Sequence, residues 1–289
     1  MEIERPVVFL TFADGDIRYS RAATRLTAEA KATGIYSDLH NLNLDWLRGA
    51  DPEVMKIVRN CLSRGDIKGI GYWAWKSSLL IWAANKYPNH VIHYMDAGHV
   101  ILPGIQAHNQ IRDWIKEGSQ RRGLAWQLPS HPEIEWTKKE TLLRLDPEGK
   151  FWQTSQIEGG FLILNSEIAR EFGSTLRDIE LERDGYYLFD SKEVPELGEF
   201  KAHRHDQSIH SLLWKKAGLH YRTTETSYPG GCKSVIAARH ASGFRWRSKA
   251  IRNPIEAAEF YFGKAQKFIN MHPNKFTQPI NYPLKRCQG

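Results

Sequence analysis

No stretch of this 289-residue chain approaches the ~18 consecutive apolar residues of a membrane-spanning helix, which excludes a helical span on composition alone. Cysteine is scarce. Cys61, Cys232 and Cys287 are widely separated and odd in number, which argues against both a disulfide framework and a thiolate zinc site. There is no Asn-x-Ser/Thr sequon, no internal repeat and no low-complexity run. Residues 1–6 carry acids at Glu2 and Glu4 and lack the basic start and small-residue cleavage site of a signal peptide. The resulting expectation is a cytoplasmic protein, one that meets a membrane only peripherally, at the inner surface.

What remains is the composition of a soluble globular protein, and the length suits one α/β unit with a C-terminal elaboration: a domain over 1–250, with 251–289 as a helix and tail packing on it. The formal charge of +7 points to an anionic partner such as a nucleotide diphosphate, an anionic lipid surface or nucleic acid. Basic residues are densest over 242–252, where Phe244 and Trp246 alternate with Arg245, Arg247, Lys249 and Arg252. Such a segment suits a membrane surface, stacked bases or a solvated loop beside a phosphate site. Since the remaining charge is not gathered into a stripe and no recognised motif is present, a nucleic-acid partner is not expected.

The pattern of elements begins with a strand over 7–12, ended by the turn-forming run Ala13, Asp14, Gly15 and Asp16. Ala22, Ala23, Leu26 and Ala30 keep helical spacing and Gly34 signals a C-cap, so a helix is expected over 20–33. A strand, a glycine-bearing turn and a helix open an α/β unit of the kind that binds nucleotides at strand carboxyl ends. Further helices are expected over 52–62 and from Leu79 to Pro88. Ile105, Ile111 and Ile115 suggest another, closed by Gly118. Residues 119–152 read as an irregular insertion or mobile loop, and Gly159-Gly160 as a turn before an apolar strand reaching Asn165. A helix over 166–172 ends at Gly173, another starts with Asp206 at or near its N-cap, and a last one spans 255–270.

Two segments carry the strongest chemistry. The apolar run 91–95 reads as a buried strand that delivers Asp96 at its open end, where a carboxylate can hold a metal or a phosphate. Residues 68–76 combine Gly69 and Gly71, which permit close backbone approach, with Tyr72, Trp73 and Trp75 for stacking and Lys76 for charge. Arg18, Arg21 and Arg25 form a basic helical face that reads mainly as solvated, with Arg25 counted on the ligand side.

Gly71-Tyr72-x-x-Trp75-Lys76 ahead of Asp96-Ala97-Gly98 resembles GT-A glycosyltransferases, in particular bacterial and viral sugar transferases with this pairing. Many of these have Asp-x-Asp at the strand end; here Gly98 replaces the second Asp. The resemblance implies a GT-A, Rossmann-like central mixed sheet flanked by helices, with a C-terminal helical extension. It implies hexosyl transfer from a nucleotide diphosphate sugar, a UDP-sugar by resemblance only, to a saccharide or lipid-linked acceptor in surface polysaccharide or glycan synthesis. The donor side would take in Thr11, Phe12, Ala13 and Asp14, then Arg25, Tyr72, Trp75, Lys76, Asp96, Ala97, Gly98, Gly243 and Arg245. The acceptor side would take in Glu158, Gly159, Gly160 and His205. Asp206 would orient the acceptor or remove its proton, and Gln207 would face the anomeric carbon. His240-x-x-Gly243-x-Arg245-Trp246 resembles a shortened glycogenin-like motif, which implies retention of configuration and pairs His240 with Asp96 as ligands to Mn²⁺ or Mg²⁺. With Arg245, that ion would neutralise the leaving diphosphate.

The competing reading is a metal-dependent hydrolase built on His203, His205, Asp206 and His210, because clustered imidazoles and a carboxylate are ordinary zinc ligands. Its spacing falls short: the two-metal pattern requires Asp where Gln207 stands.

Overall fold

A run rich in β-favouring residues, every one buried, forms β1 (Val7–Phe12), an interior strand of the main sheet. In the computed structural model the described residues are 5–223 and 235–237. His240, Gly243, Arg245, the basic segment 242–252 and the helix expected over 255–270 lie outside them, as does the division at 250.

After β1 come α1 (Ile17–Ala32), β2 (Asp38–Leu42), α2 (Leu44–Ala50), α3 (Pro52–Ser63), the single turn α4 (Gly69–Tyr72) and α5 (Trp75–Lys86). β3 (Val91–Met95), β4 (His99–Ile101), α6 (Ile105–Gln120), β5 (Leu124–Pro132), α7 (Glu133–Trp136) and α8 (Lys139–Leu145) follow. β6 (Ser155–Asn165), α9 (Ser166–Leu181), α10 (Asp206–Lys216), β7 (Tyr221–Thr223) and β8 (Val235–Ala237) complete the described chain. The main sheet has the order β2-β1-β3-β6-β5-β7, and a two-stranded sheet pairs β4 with β8. β1 runs parallel to β2 and β3, β6 runs antiparallel to β3 and β5, and β7 runs parallel to β5. A central mixed sheet flanked by helices is thus present as expected.

Alternation along the strands builds two cores. Val8, Leu10, Ile92, Tyr94, Leu162 and Leu164 point into the larger, which α3, α5, α9 and α10 cover. Val7, Phe9, Val91, Phe161 and Ile163 point into the smaller, closed by Leu26 of α1 and by Ile111, Trp114 and Ile115 of α6. Burial on both faces is why these strands read as continuous apolar runs.

Several boundaries differ from expectation. α1 begins earlier, at Ile17, because Asp16 caps it by accepting from Arg18 N at 2.7 Å. Gly118 and Gly173 do not end helices. They sit inside α6 and α9, where a Cβ would come 2.5 Å from Ile163 Cγ2 and 3.2 Å from Leu80 Cβ respectively. Both let a helix approach its neighbour closely. Residues 119–152 hold β5, α7 and α8 rather than an irregular insertion.

The glycine turn at Gly159-Gly160 is instead an irregularity within the continuous strand β6. The register shifts between the pairs Ala125–Leu162 and Gln127–Ile157, and Ile157 returns to the core that Leu162 and Leu164 occupy. Alternation therefore flips across the glycines, as at a β-bulge.

Candidate active site

The chain passes from β1 to β2 on one side and then crosses to β3 on the other, so the strand order reverses at β1. In open α/β sheets that switch point leaves a crevice beyond the strand carboxyl ends, where ligands bind. Asp14 and Asp96 both stand just past those ends, after β1 and β3.

The Asp96 side chain is 41% exposed. Its Oδ1 accepts from Tyr94 Oη at 2.5 Å, and its backbone N donates to Gly160 O at 2.9 Å. Arg25 braces the following turn from α1. Its Nη2 donates to His99 O at 2.7 Å and Ala97 O at 3.3 Å, while Nη1 donates to Glu29 at 2.9 Å. Arg25, counted on the ligand side from the sequence, is only 12% exposed and spends its terminal guanidinium nitrogens on Glu29, Ala97 and His99. Ala13, Ala22, Ala23 and Ala97 form a small cluster that seats α1 against the two strand ends.

Lys76, in the first turn of α5, is 2% exposed and reaches β6. Its Nζ donates to Gly159 O at 2.9 Å and to Asp206 Oδ2 at 2.6 Å, and lies 3.8 Å from Asp96 Oδ1. The glycines make this possible. A Cβ on Gly159 would lie 3.4 Å from both Lys76 Nζ and Asp206 Oδ2, and one on Gly160 would lie 2.8 Å from Asp96 Oδ2. Burial disfavours the ammonium, but Asp206 and Asp96 outweigh it and hold the Lys76 pKa above the ordinary lysine value. Unit charges about 4 Å apart interact by about 4 kcal/mol at an effective dielectric near 20, so two such partners can offset much of the desolvation.

Asp206 opens α10 behind His205, whose backbone is left-handed at φ 56°. It is 4% exposed, and burial, opposed by Lys76, pushes its pKa up to about 6. The helix N-terminus also favours a carboxylate there. Behind the pair lies Glu180, fully buried. Its Oε2 accepts from Ser77 Oγ at 2.5 Å, and burial drives its pKa well above the usual carboxylate range.

Gln207 is positioned by a second polar network. Its Nε2 donates to Gln156 Oε1 at 2.7 Å, and Gln156 Nε2 donates to Glu133 Oε2 at 3.2 Å. The fully buried Glu133 also accepts from Lys215 Nζ at 2.7 Å and from Ser211 Oγ, which ties α10 to the start of α7.

The remaining expected residues are more dispersed. Phe12 and Trp75 stack on each other at 3.9 Å between ring centroids and are both buried in the larger core rather than presented as an open face. Thr11 is buried and its hydroxyl has no hydrogen-bond partner. Asp14 accepts from Gly15 N at 2.5 Å and Leu44 N at 2.8 Å. The Tyr72 hydroxyl donates to Asp66. Buried Glu158 lies 3.9 Å from His99 Nε2. His205 packs against Tyr72 and Trp73, with its Nδ1 2.7 Å from Leu188 O.

The hydrolase cluster does not assemble. His203 spends Nε2 on Tyr187 O at 2.8 Å and Nδ1 on Lys138 N at 3.3 Å, leaving no lone pair for a metal. His210 sits among Phe172 and Trp214 with both ring nitrogens unpartnered, and burial pushes its pKa down to about 3. Among the described residues, no group of three or more His, Cys, Asp and Glu stands close enough to hold a metal ion. Asp96 and Asp206 both face the Lys76 ammonium, and His240, the other expected metal ligand, lies outside the described residues.

Three contributors were not picked out from the sequence. Tyr94 was within reach of inference, since it lies two residues before Asp96 and so on the same side of the strand. Glu180 and Glu133 gave no signal, being single acids among other charges. Among the described residues, no helix is long and apolar enough to cross a membrane.

No protein-family model matches the chain, and no curated protein matches it in sequence. Among solved structures it is similar to a glycosyltransferase involved in the glycosylation of the major capsid of PBCV-1, at 13% identity and a TM-score of 0.35 over 68% of this chain and 81% of that one. It is also similar to mouse xyloside xylosyltransferase 1 in its apo form, at 10% identity and a TM-score of 0.38 over 76% of this chain and 84% of that one.

Proposed function

We propose that this protein is a glycosyltransferase of GT-A type that uses a nucleotide diphosphate sugar, with a UDP-sugar as the first donor to test and a saccharide or lipid-linked acceptor. The observation that carries the reading is the convergence of Asp96, Lys76 and Asp206 beside the sheet's switch point, where α/β proteins bind nucleotides. Neither an isolated helix cap nor a packed core requires a buried ammonium between two carboxylates from three separate elements.

In this reading the nucleotide lies over the ends of β1 and β3, with Asp14 and Asp96 at its polar edge. The leaving diphosphate must be met by positive charge, and Arg245 is the residue assigned to it. Asp206, with its pKa raised to about 6, is suited to accept the acceptor's proton near neutral pH, and Gln207, hydrogen-bonded to Gln156, is the residue assigned to the anomeric carbon. Two stereochemical outcomes follow from two roles: inversion if Asp206 is the base, retention if Gln207 faces the anomeric carbon.

Isothermal titration with UDP, GDP and their sugars tests the reading directly. Saturable binding of one nucleotide class, lost in Asp96→Ala with the fold intact by circular dichroism, is the expected result. Failure of every nucleotide and nucleotide sugar to bind would remove the proposal.

A further inference from the structure

Oxygen-liganded divalent ions need about six ligands and several negative or carbonyl donors in one place. The crevice offers something different. Asp96 and Asp206 come from β3's end and α10's start, and the space between them holds the Lys76 ammonium, 3.8 Å from one and 2.6 Å from the other. The ammonium is also held by a main-chain oxygen, Gly159 O, and it is sealed from solvent, so it does not leave without breaking a buried ion pair. One Asp96 oxygen already accepts the Tyr94 hydroxyl. A divalent ion placed against this pair would meet a fixed like charge, and the two carboxylates would present it with the net charge of only one.

We propose that Lys76 is the resident cation of this site: a positioning residue that takes the place of a divalent ion between Asp96 and Asp206, so that binding of a nucleoside diphosphate needs no metal. The part that concerns nucleotides rests on the function proposed above; the part that concerns metal does not. Gly160 completes the device, since a Cβ there would come 2.8 Å from Asp96 Oδ2, while one on Gly159 would reach ordinary contact with Lys76 and Asp206 at 3.4 Å. The ammonium spaces the two acids and offsets one of their charges, which lowers the repulsion that an incoming diphosphate meets.

The test titrates the full-length protein with MnCl₂, followed by electron paramagnetic resonance of free Mn²⁺, and separately titrates UDP in the presence of EDTA or Mn²⁺. The expected results are no saturable Mn²⁺ site at micromolar concentrations in the wild type and a UDP affinity that is the same in both buffers. Lys76→Met removes the competing charge and is expected to gain Mn²⁺ affinity by at least about tenfold, or ~1.4 kcal/mol, whereas Lys76→Arg gains none. A purely structural lysine would yield no such gain. A micromolar Mn²⁺ site in the wild type that disappears in Asp96→Asn would overturn the inference, as would a folded Lys76→Met that gains nothing. If Lys76→Met does not fold, the wild-type and Asp96→Asn titrations decide the question alone. If UDP binds in neither buffer, the glycosyltransferase reading fails while the Mn²⁺ arms still judge Lys76.

Discussion

Gly160 faces Asp96 so closely that a Cβ added to the glycine would stand 2.8 Å from Oδ2 and 3.2 Å from Cγ of the acid. Its neighbour Gly159 leaves more room, 3.4 Å to Lys76 and Asp206. Gly160→Ala is therefore expected to rotate Asp96 off Tyr94, weakening nucleotide binding by about tenfold or more at a stability cost of only ~1 kcal/mol. Gly159→Ala should be milder on binding. Titration calorimetry beside urea denaturation compares the two, and equal losses of binding would contradict this geometry.

Asp96 and Asp206 should separate by experiment because one is open and the other sealed. Asp96→Asn leaves stability within ~1 kcal/mol, since its carboxylate is 41% exposed, while abolishing turnover. Asp206→Asn costs ~10²–10⁴-fold in turnover if it serves as the base. A product of retained configuration by NMR, together with only a moderate loss in Asp206→Asn, would move the decisive role to Gln207.

Glu133 and Lys215 form a second buried ion pair, joining α7 to α10 beneath Gln156 and Gln207. Lys215→Met strands a fully buried carboxylate and is expected to cost about 3–5 kcal/mol in urea unfolding. Replacing both, as Glu133→Gln with Lys215→Met, should recover much of that loss. If the double variant is as unstable as the single, the damage comes from lost packing rather than from an uncompensated charge.

Acid should destabilise this protein through its buried histidines. Burial lowers the pKa of both His93 and His210 to about 3 in the folded state, against ~6.5 unfolded. The folded state therefore binds fewer protons. The stability these groups contribute is full above ~6.5 and is lost as pH falls toward 3, at up to ~1.4 kcal/mol per pH unit for each. His210→Phe, packed among Phe172 and Trp214, should shallow that acid slope by about one histidine's share. Chemical denaturation at pH 7.5, 6 and 5 measures it, and an unchanged slope would show that His210 does not carry the effect.

The strands were legible because apolar runs buried on both faces leave an unbroken signature, and β1 and β3 stand where their sequences put them. Asp96 and Asp206 were legible as acids at element ends, and Lys76 as the cation that closes the glycine and aromatic run 68–76. Their meeting was not, because it depends on how α5, β6 and α10 come together in the fold. The glycines misled for a common reason. Gly118, Gly160 and Gly173 serve close approach, and a sequence shows that a side chain is missing without showing what fills the space. Over 119–152, buried Glu133 and Lys138 give the run a surface-like composition although both are inside.

β6 is the one strand of its sheet that runs backwards, and this brings its early residues to the end where its parallel neighbours finish. The oxygen it presents to Lys76 there belongs to the peptide link of Gly159, not to any side chain. No codon change can delete that acceptor. Of the two anchors on the buried ammonium, one is open to loss by a single substitution at Asp206, and the other lasts as long as the strand itself.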